Sequence, residues 1–276
     1  GDDTWCSVSA VISTYDSPEK LRVALKSVLN QTRPVEEIIV VGDGCSESTA
    51  TELDRLDLKQ IRYVNLPFRC GEQAIPNAVG TLLSKTKYVA YLNHDDLWLP
   101  RHIEEALACL RSESSPWFIG AAAFSDEIER RAGRPIPIFG TRTDPNRSVG
   151  DSYSRAFKAL EPASSWVIDR SVVLDAGNWR PAWQMARTPA SELPLRILRK
   201  QGEPVRGSDV TVAKVLGNRS SENGPHYFQL DGQFAFLEEL IESKGQDWPT
   251  FFYWPDAVST QRNQEGLGFL SIPARF

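Results

Sequence analysis

In the N-terminal third of the chain the apolar positions follow two alternating rhythms. Ser7 to Ser13 (SVSAVIS) is a short apolar, β-branched run that predicts a strand, and it stops at the turn signal Thr14-Tyr15-Asp16-Ser17-Pro18. Ser17 is a good N-cap with Pro18 and Glu19 behind it, and Leu21, Ala24, Leu25, Val28 and Leu29 then share one helical face. Glu37 to Val41 is a continuous apolar run of the kind that parallel strands show when both faces are covered, and it ends in Gly42-Asp43-Gly44. A helix over Thr49–Leu56, a strand over Ile61–Leu66, a loop over Pro67–Gly71 and a helix over Ile75–Leu83 follow. A strand over Tyr88–Leu92 then runs straight into Asn93-His94-Asp95-Asp96, and a helix over Arg101–Arg111 continues the pattern. Strands alternating with helices at this spacing predict right-handed βαβ units and an α/β fold with an open, mostly parallel sheet. Ligands in such sheets sit outside the carboxyl ends of the strands, so the polar clusters at Thr14, Asp43 and Asp95 all point to one rim.

The second half is less regular. Residues 130–151 are rich in Gly, Pro and Arg and read as a long loop or crossing, with later elements at Ser164–Ile168, Ser171–Ala176 and Leu193–Lys200. Gly217 to Pro225 has a loop's composition, Phe234 to Glu242 resembles a short amphipathic helix, and the tail around Trp248, Phe251, Phe252, Tyr253 and Trp254 is dense in aromatics. That tail suits an acceptor platform, core packing against the sheet or a homodimer contact equally. Composition adds exclusions. With 276 residues and a net charge of -5, the chain is an ordinary acidic globular protein, which argues against a nucleic-acid partner but not against a phosphate ligand whose charge a metal offsets. No apolar run reaches the roughly 18 residues of a membrane span and the start GDDTW is unlike a secretory signal, so the expectation is a cytoplasmic protein, with work at a membrane surface left open. Cys6, Cys45, Cys70 and Cys109 form no CxxC pair and read as free thiols, although sequence leaves a disulfide open.

Asp95-Asp96, at the end of an apolar strand, carries the sharpest chemistry. Two adjacent carboxylates are costly unless a cation sits beside them, and Mg²⁺ or Mn²⁺ bridging them to a diphosphate would remove that cost. The plain alternative is a cap on the helix near Pro100. Asp43 at another strand tip can accept hydrogen bonds from a base or ribose, or simply serve a turn before Gly44. Tyr15 can stack on a base or pack as core.

The order of these pieces resembles family 2 glycosyltransferases of the GT-A fold. The matching segments are VSAVISTYDSPEKLRVALKSVLNQT, EEIIVVGDGCSESTATEL, AIPNAVG followed by KYVAYLNHDDLWLP, and, more weakly, EPASSWVIDRSVVLDAGNWRP. The resemblance implies a nucleotide-sugar-binding half over residues 1–110 and an acceptor-side half over 111–276 of one domain. It implies a donor that is a nucleotide diphosphate sugar, of the UDP or dTDP type, and a saccharide or other hydroxyl acceptor. Thr14, Tyr15 and Asp43 then look like the nucleoside set, with Asp43 facing uracil, while Arg69 and Asn77 lie near the diphosphate. Asp96 looks like the direct metal ligand, whose loss would abolish transfer and leave the fold intact, and Asp95 a second ligand or a ribose contact. The family inverts by single displacement with a carboxylate base.

This chain departs from the family at three places. Gly42-Asp43 stands where an acidic pair is usual, and Asn93-His94 precedes Asp95. The family's Glu-Asp motif aligns with Pro189-Ala190, which leaves Glu192 as the candidate base and a first-turn surface glutamate as its plain reading. His226, beyond the loop GNRSSENGP, is a further candidate metal ligand. His94 is expected to point away from the acid pair and His102 to be exposed. A catalytically inactive sugar-nucleotide-binding or scaffolding domain of the same fold stays open as the alternative. A nucleotidyltransferase does not fit, because TYDSPEK replaces its glycine- and lysine-rich loop.

Overall fold

A computed structural model describes residues 7–56, 60–131, 134–143, 162–185, 188–215 and 233–242. The first four strands, β1 (Val8–Thr14), β2 (Glu37–Gly42), β3 (Ile61–Asn65) and β4 (Tyr88–Asn93), all pair in parallel in the order β3-β2-β1-β4. They alternate with helices α1 (Pro18–Leu29), α2 (Glu47–Leu56) and α3 (Ala74–Leu83). β1 is buried at every position, as its unbroken apolar run requires when both faces are covered. Ser17 does precede α1, but its hydroxyl makes no capping bond. Where α3 crosses β1, a Cβ on Gly80 would come within 2.2 Å of a Val11 methyl, so this helix lies on the sheet only because the position lacks a side chain.

Past β4 the topology bends. β5 (Asp96–Trp98) follows β4 after only His94 and Asp95, yet in the sheet β8 (Trp166–Asp169), β6 (Trp117–Arg131) and β9 (Val205–Lys214) stand between them. Four strand spacings of about 4.8 Å make about 19 Å in a flat sheet, whereas the link reaches at most about 11 Å. The sheet must therefore curl until its β5 edge returns to the carboxyl end of β4. The buried side chains of Leu97 and Trp98 hold the returned edge, and the Trp98 indole N–H donates to the Ser164 carbonyl at 2.7 Å.

The second half corrects the sequence reading in several places. Residues 130–151 do not begin as a loop: β6 continues into an antiparallel hairpin with β7 (Arg134–Arg142). Alanines in β6 and Pro135 and Pro137 in β7 hide the strand signal, and the prolines are tolerated because β7 pairs with β6 alone and is an edge. β9 was also invisible in the pattern. Helices α5 (Arg170–Asp175), α6 (Pro189–Gln201) and α7 (Gln233–Glu242) agree with expectation within a few residues. α7 packs Phe234, Leu237, Leu240 and Ile241 against Val23 and Leu97, and ion pairs from Arg22 and Lys26 to Glu238 tie it to α1. Gly217–Pro225 and the aromatic tail lie outside the described residues. Among those described, no helix is long and apolar enough to cross a membrane.

His102 opens α4 (His102–Ser112) and is fully buried rather than exposed, its ring tilted 33° against that of Trp98 with centroids 4.9 Å apart and its Nδ1 2.9 Å from the Thr211 hydroxyl. Burial pushes its pKa down to about 3, so the native imidazole stays neutral as the pH falls while the unfolded one takes up a proton. The unfolded state then binds the extra proton, and stability drops progressively below the unfolded value of about 6.5. Urea unfolding at pH 7.5 and pH 5.5 should show the wild type losing roughly 1 kcal/mol more than a His102→Gln variant. Equal losses in both proteins would remove His102 as the cause.

Candidate functional site

Three strand tips meet at one rim because β1, β2 and β4 are adjacent and in register, with Thr14 beside Gly42 and Ser13 beside Asn93. The Asp43 backbone N–H donates to the Thr14 carbonyl at 2.8 Å. Its buried carboxylate accepts from the backbone N–H groups of Cys70 at 2.7 Å and Gly71 at 2.8 Å, which fastens the loop after β3 to the tip of β2. Gly44 sits at φ 69°, and a Cβ there would lie 2.7 Å from the Arg69 backbone nitrogen, so this contact also requires glycine. The Arg69 guanidinium lies 3.9 Å over the half-buried Tyr15 ring. Tyr15, Asp43 and Arg69 thus come together, but the covered face of Tyr15 is stacked by Arg69 and the Asp43 oxygens already serve the loop. Thr14 and Asn77 are buried, with the Thr14 hydroxyl and both polar atoms of the Asn77 amide unpaired among the described residues. Buried amides of this kind call for water or a ligand atom.

The acid pair is asymmetric. Asp96 begins β5 and is completely buried, with its register partner on β9, Lys214, supplying an ammonium 3.0 Å from Oδ1. Its Oδ2 accepts from the Ser164 hydroxyl at 2.5 Å. Burial raises the Asp96 carboxyl, Lys214 pulls it back, and Asp95 raises it again. Asp95 is half-buried and, among the described residues, has no hydrogen bond or ion pair with another side chain. Against its own burial, Lys214, His94 and Lys20 hold Asp95 below the usual carboxylate range. Burial lowers His94 against the opposing pull of Asp95, and its Nδ1 lies 3.3 Å from the Ser13 carbonyl, to which it donates. Neither acid caps α4, whose N-cap is Arg101.

This geometry decides which acid suits a divalent ion. Both Asp96 oxygens are taken, one by the Lys214 ammonium and the other by the Ser164 hydroxyl. Asp95 alone offers free oxygens, and Mg²⁺ is commonly held by one carboxylate together with phosphate oxygens. Among the described residues no group of three or more His, Cys, Asp or Glu side chains converges. The donor set could suit an ion shared between Asp95 and a phosphate ligand, since the Asp96 oxygens are already taken by Lys214 and Ser164. His226 lies outside the described residues.

Glu192 is committed elsewhere. Its carboxylate takes a fork from Arg196, with Nε at 2.7 Å and Nη2 at 2.6 Å, and Arg180 lies 3.6 Å away. Arg196 also donates to the carbonyls of Ala176 and Asn178, so Glu192 orients the arginine that anchors α6 to the end of α5. The first turn of α6 holds Pro189 and Ala190 where the resemblance puts the base. The residues that sequence reasoning missed are Ser164 and Lys214. Ser164 lies in the quoted EPASSW segment, whereas Lys214, at the end of an unrecognised strand, gave no signal.

Removing one member of a buried ion pair strands the other, so Asp96→Asn and Lys214→Met should each lose about 3 kcal/mol in denaturant unfolding. The double variant should recover at least half of the summed loss. Wild-type stability in either single variant would show that the pair does not hold β5 to β9.

Comparison with known proteins gives this rim a family. The model of glycosyl transferase family 2 matches residues 9–171. The poly(ribitol-phosphate) beta-N-acetylglucosaminyltransferase TarP of Staphylococcus aureus is 29% identical over 172 residues, 60% of this chain and 51% of TarP. An uncharacterized glycosyltransferase of Rickettsia bellii is 34% identical over 104 residues, 37% of this chain and 15% of that protein. The chain thus spans about half of TarP and far less of the second relative. Among solved structures, S. aureus TarS 1-349 in complex with UDP-GlcNAc shares the fold at a TM-score of 0.61 and 15% identity, covering 86% of this chain and 66% of that one. The complex of the same fragment with UDP superposes at 0.59. With a family match over more than half of its length, the curled α/β sheet of the GT-A type and its carboxyl rim, this chain belongs to glycosyl transferase family 2.

Proposed function

We propose that the chain transfers a sugar from a uridine or thymidine diphosphate sugar to an acceptor hydroxyl by inverting displacement, assisted by Mn²⁺ or Mg²⁺. The observation that carries this reading is the free carboxylate of Asp95 on the same rim as the loop that Asp43 fastens, with Tyr15 and Arg69 between them. The presence of UDP and UDP-GlcNAc in the TarS structures, which share this fold, supports a nucleotide-sugar donor.

Each residue then has a task. Asp43 fixes the loop that walls the nucleoside side, and Arg69 can turn from Tyr15 to a base or phosphate. Asp95 holds the divalent ion, which would neutralise charge on the leaving diphosphate. Asp96 stays locked on Lys214 and fixes the β5 edge, so that Asp95 is presented at the rim. On this reading the donor half is 1–110 and the acceptor side 111–276. The acceptor's proton needs a base, and the Arg196 fork on Glu192 together with Pro189 and Ala190 at the helix start favours a second reading, in which the domain binds a sugar nucleotide without transferring it.

Calorimetry with UDP should show binding at least about tenfold tighter with Mn²⁺ than with chelator. Asp95→Asn should erase that difference while the melting temperature stays within a few degrees. A metal effect that survives Asp95→Asn would refute the ligand assignment. Donor turnover with a panel of hydroxyl acceptors separates the two readings, since binding without turnover on any acceptor selects the second.

A further inference from the structure

Lys20 is the one cation in the first turn and a half of α1 that the helix's ion pairs leave unused. Farther along the helix, Arg22 is held by Glu52 and Glu238, and Lys26 by Glu238 and Glu242. Lys20 is half-buried and, among the described residues, has no carboxylate within 4.0 Å and no hydrogen bond. Its ammonium stands 5.8 Å from the centroid of the Phe234 ring on α7, a weak partner for a charge taken partly out of water. Burial lowers Lys20, and the charge that offsets this comes from Asp95.

Two half-buried charges of opposite sign therefore act on each other across a gap without touching. Lys20 lies on α1, just beyond the tip of β1, and Asp95 lies just beyond the tip of β4. Among the described residues they do not pair directly, so each keeps a charge that a ligand group of opposite sign can meet, an anion at Lys20 and a cation at Asp95. The strand order indicates what that is. β1 lies between β2, whose tip carries Asp43, and β4, whose tip carries Asp95. A ligand with its nucleoside toward β2 and its sugar toward β4 must run its diphosphate across the loop after β1 and the first turn of α1. The amino end of this 12-residue helix adds a favourable dipole to the lysine's charge.

We propose that Lys20 binds the diphosphate of the donor, on the side opposite the ion held by Asp95. This rests on the donor reading above. It assigns a phosphate contact to a position outside the polar strand tips, and it explains why Lys20 has no carboxylate partner among the described residues while Arg22 and Lys26 on the same helix are paired.

The test compares wild type, Lys20→Met and Lys20→Arg in titrations with UDP and with uridine, both in the presence of Mn²⁺, uridine being carried to millimolar concentration and followed by NMR. Lys20→Met should weaken UDP about tenfold or more, as expected for loss of a charge-assisted hydrogen bond, and leave uridine within about twofold. Lys20→Arg should keep most of the UDP affinity. The melting temperature of Lys20→Met should not fall, because no native ion pair is lost. Unchanged UDP affinity in Lys20→Met, or equal losses for UDP and uridine, would overturn the assignment of Lys20 alone. A wild type that binds uridine but not UDP, or neither, would overturn the donor reading and the assignment with it.

Discussion

A carboxylate removed from water needs a counter-charge, and at Asp96 the counter-charge comes from Lys214 on β9. That pairing links two distant parts of the sequence at the point where the curled sheet closes on itself. β5 can return to the end of β4 because the link between them is two residues long, and it stays there because Asp96 is paired with Lys214 and Ser164 while Leu97 and Trp98 are buried behind it. The site depends on this closure. Without it, Asp95 would sit on an unanchored turn and not beside the tips of β1 and β2.

The same interaction divides the work between two adjacent acids. Asp96 begins β5 and is held by Lys214 on β9, whereas Asp95 lies in the turn before it and takes no part in that pair. Asp43 has an analogous structural duty at the tip of β2, where its oxygens hold the backbone of Cys70 and Gly71. The rim is thus built by carboxylates that organise backbone and strands, with Asp95 and Lys20 left over as groups of opposite charge. Among the described residues neither has a direct partner of opposite charge, and local costs of this kind are common at functional sites.

Much of this was legible in the sequence. The apolar runs of β1, β2 and β4 and the polar residues that end them located the rim, because strands buried on both faces leave a continuous signal. The signal failed where other constraints dominated. In β6 and β7 the alanines and prolines gave no strand pattern, and only pairing in the folded sheet makes them strands. His102 looked like a surface residue because the first turn of a helix is usually exposed, whereas here the curled edge brings Trp98 and Thr211 over it. The asymmetry of Asp95 and Asp96 depends on Lys214, more than a hundred residues away, and no local pattern encodes that contact. The Arg196 fork on Glu192 was readable, since glutamate and arginine four apart on a helix are neighbours.

The central claim is that Asp95, and not Asp96, meets the ion and diphosphate of a nucleotide sugar at this rim. It is tested most directly by a crystal structure with UDP and Mn²⁺, using the anomalous signal of manganese. The account predicts a manganese peak at the Asp95 carboxylate, the uridine beside Tyr15, and Asp96 still paired with Lys214. Manganese on Asp96 with Lys214 displaced, or a nucleotide bound away from the tips of β1, β2 and β4, would contradict it.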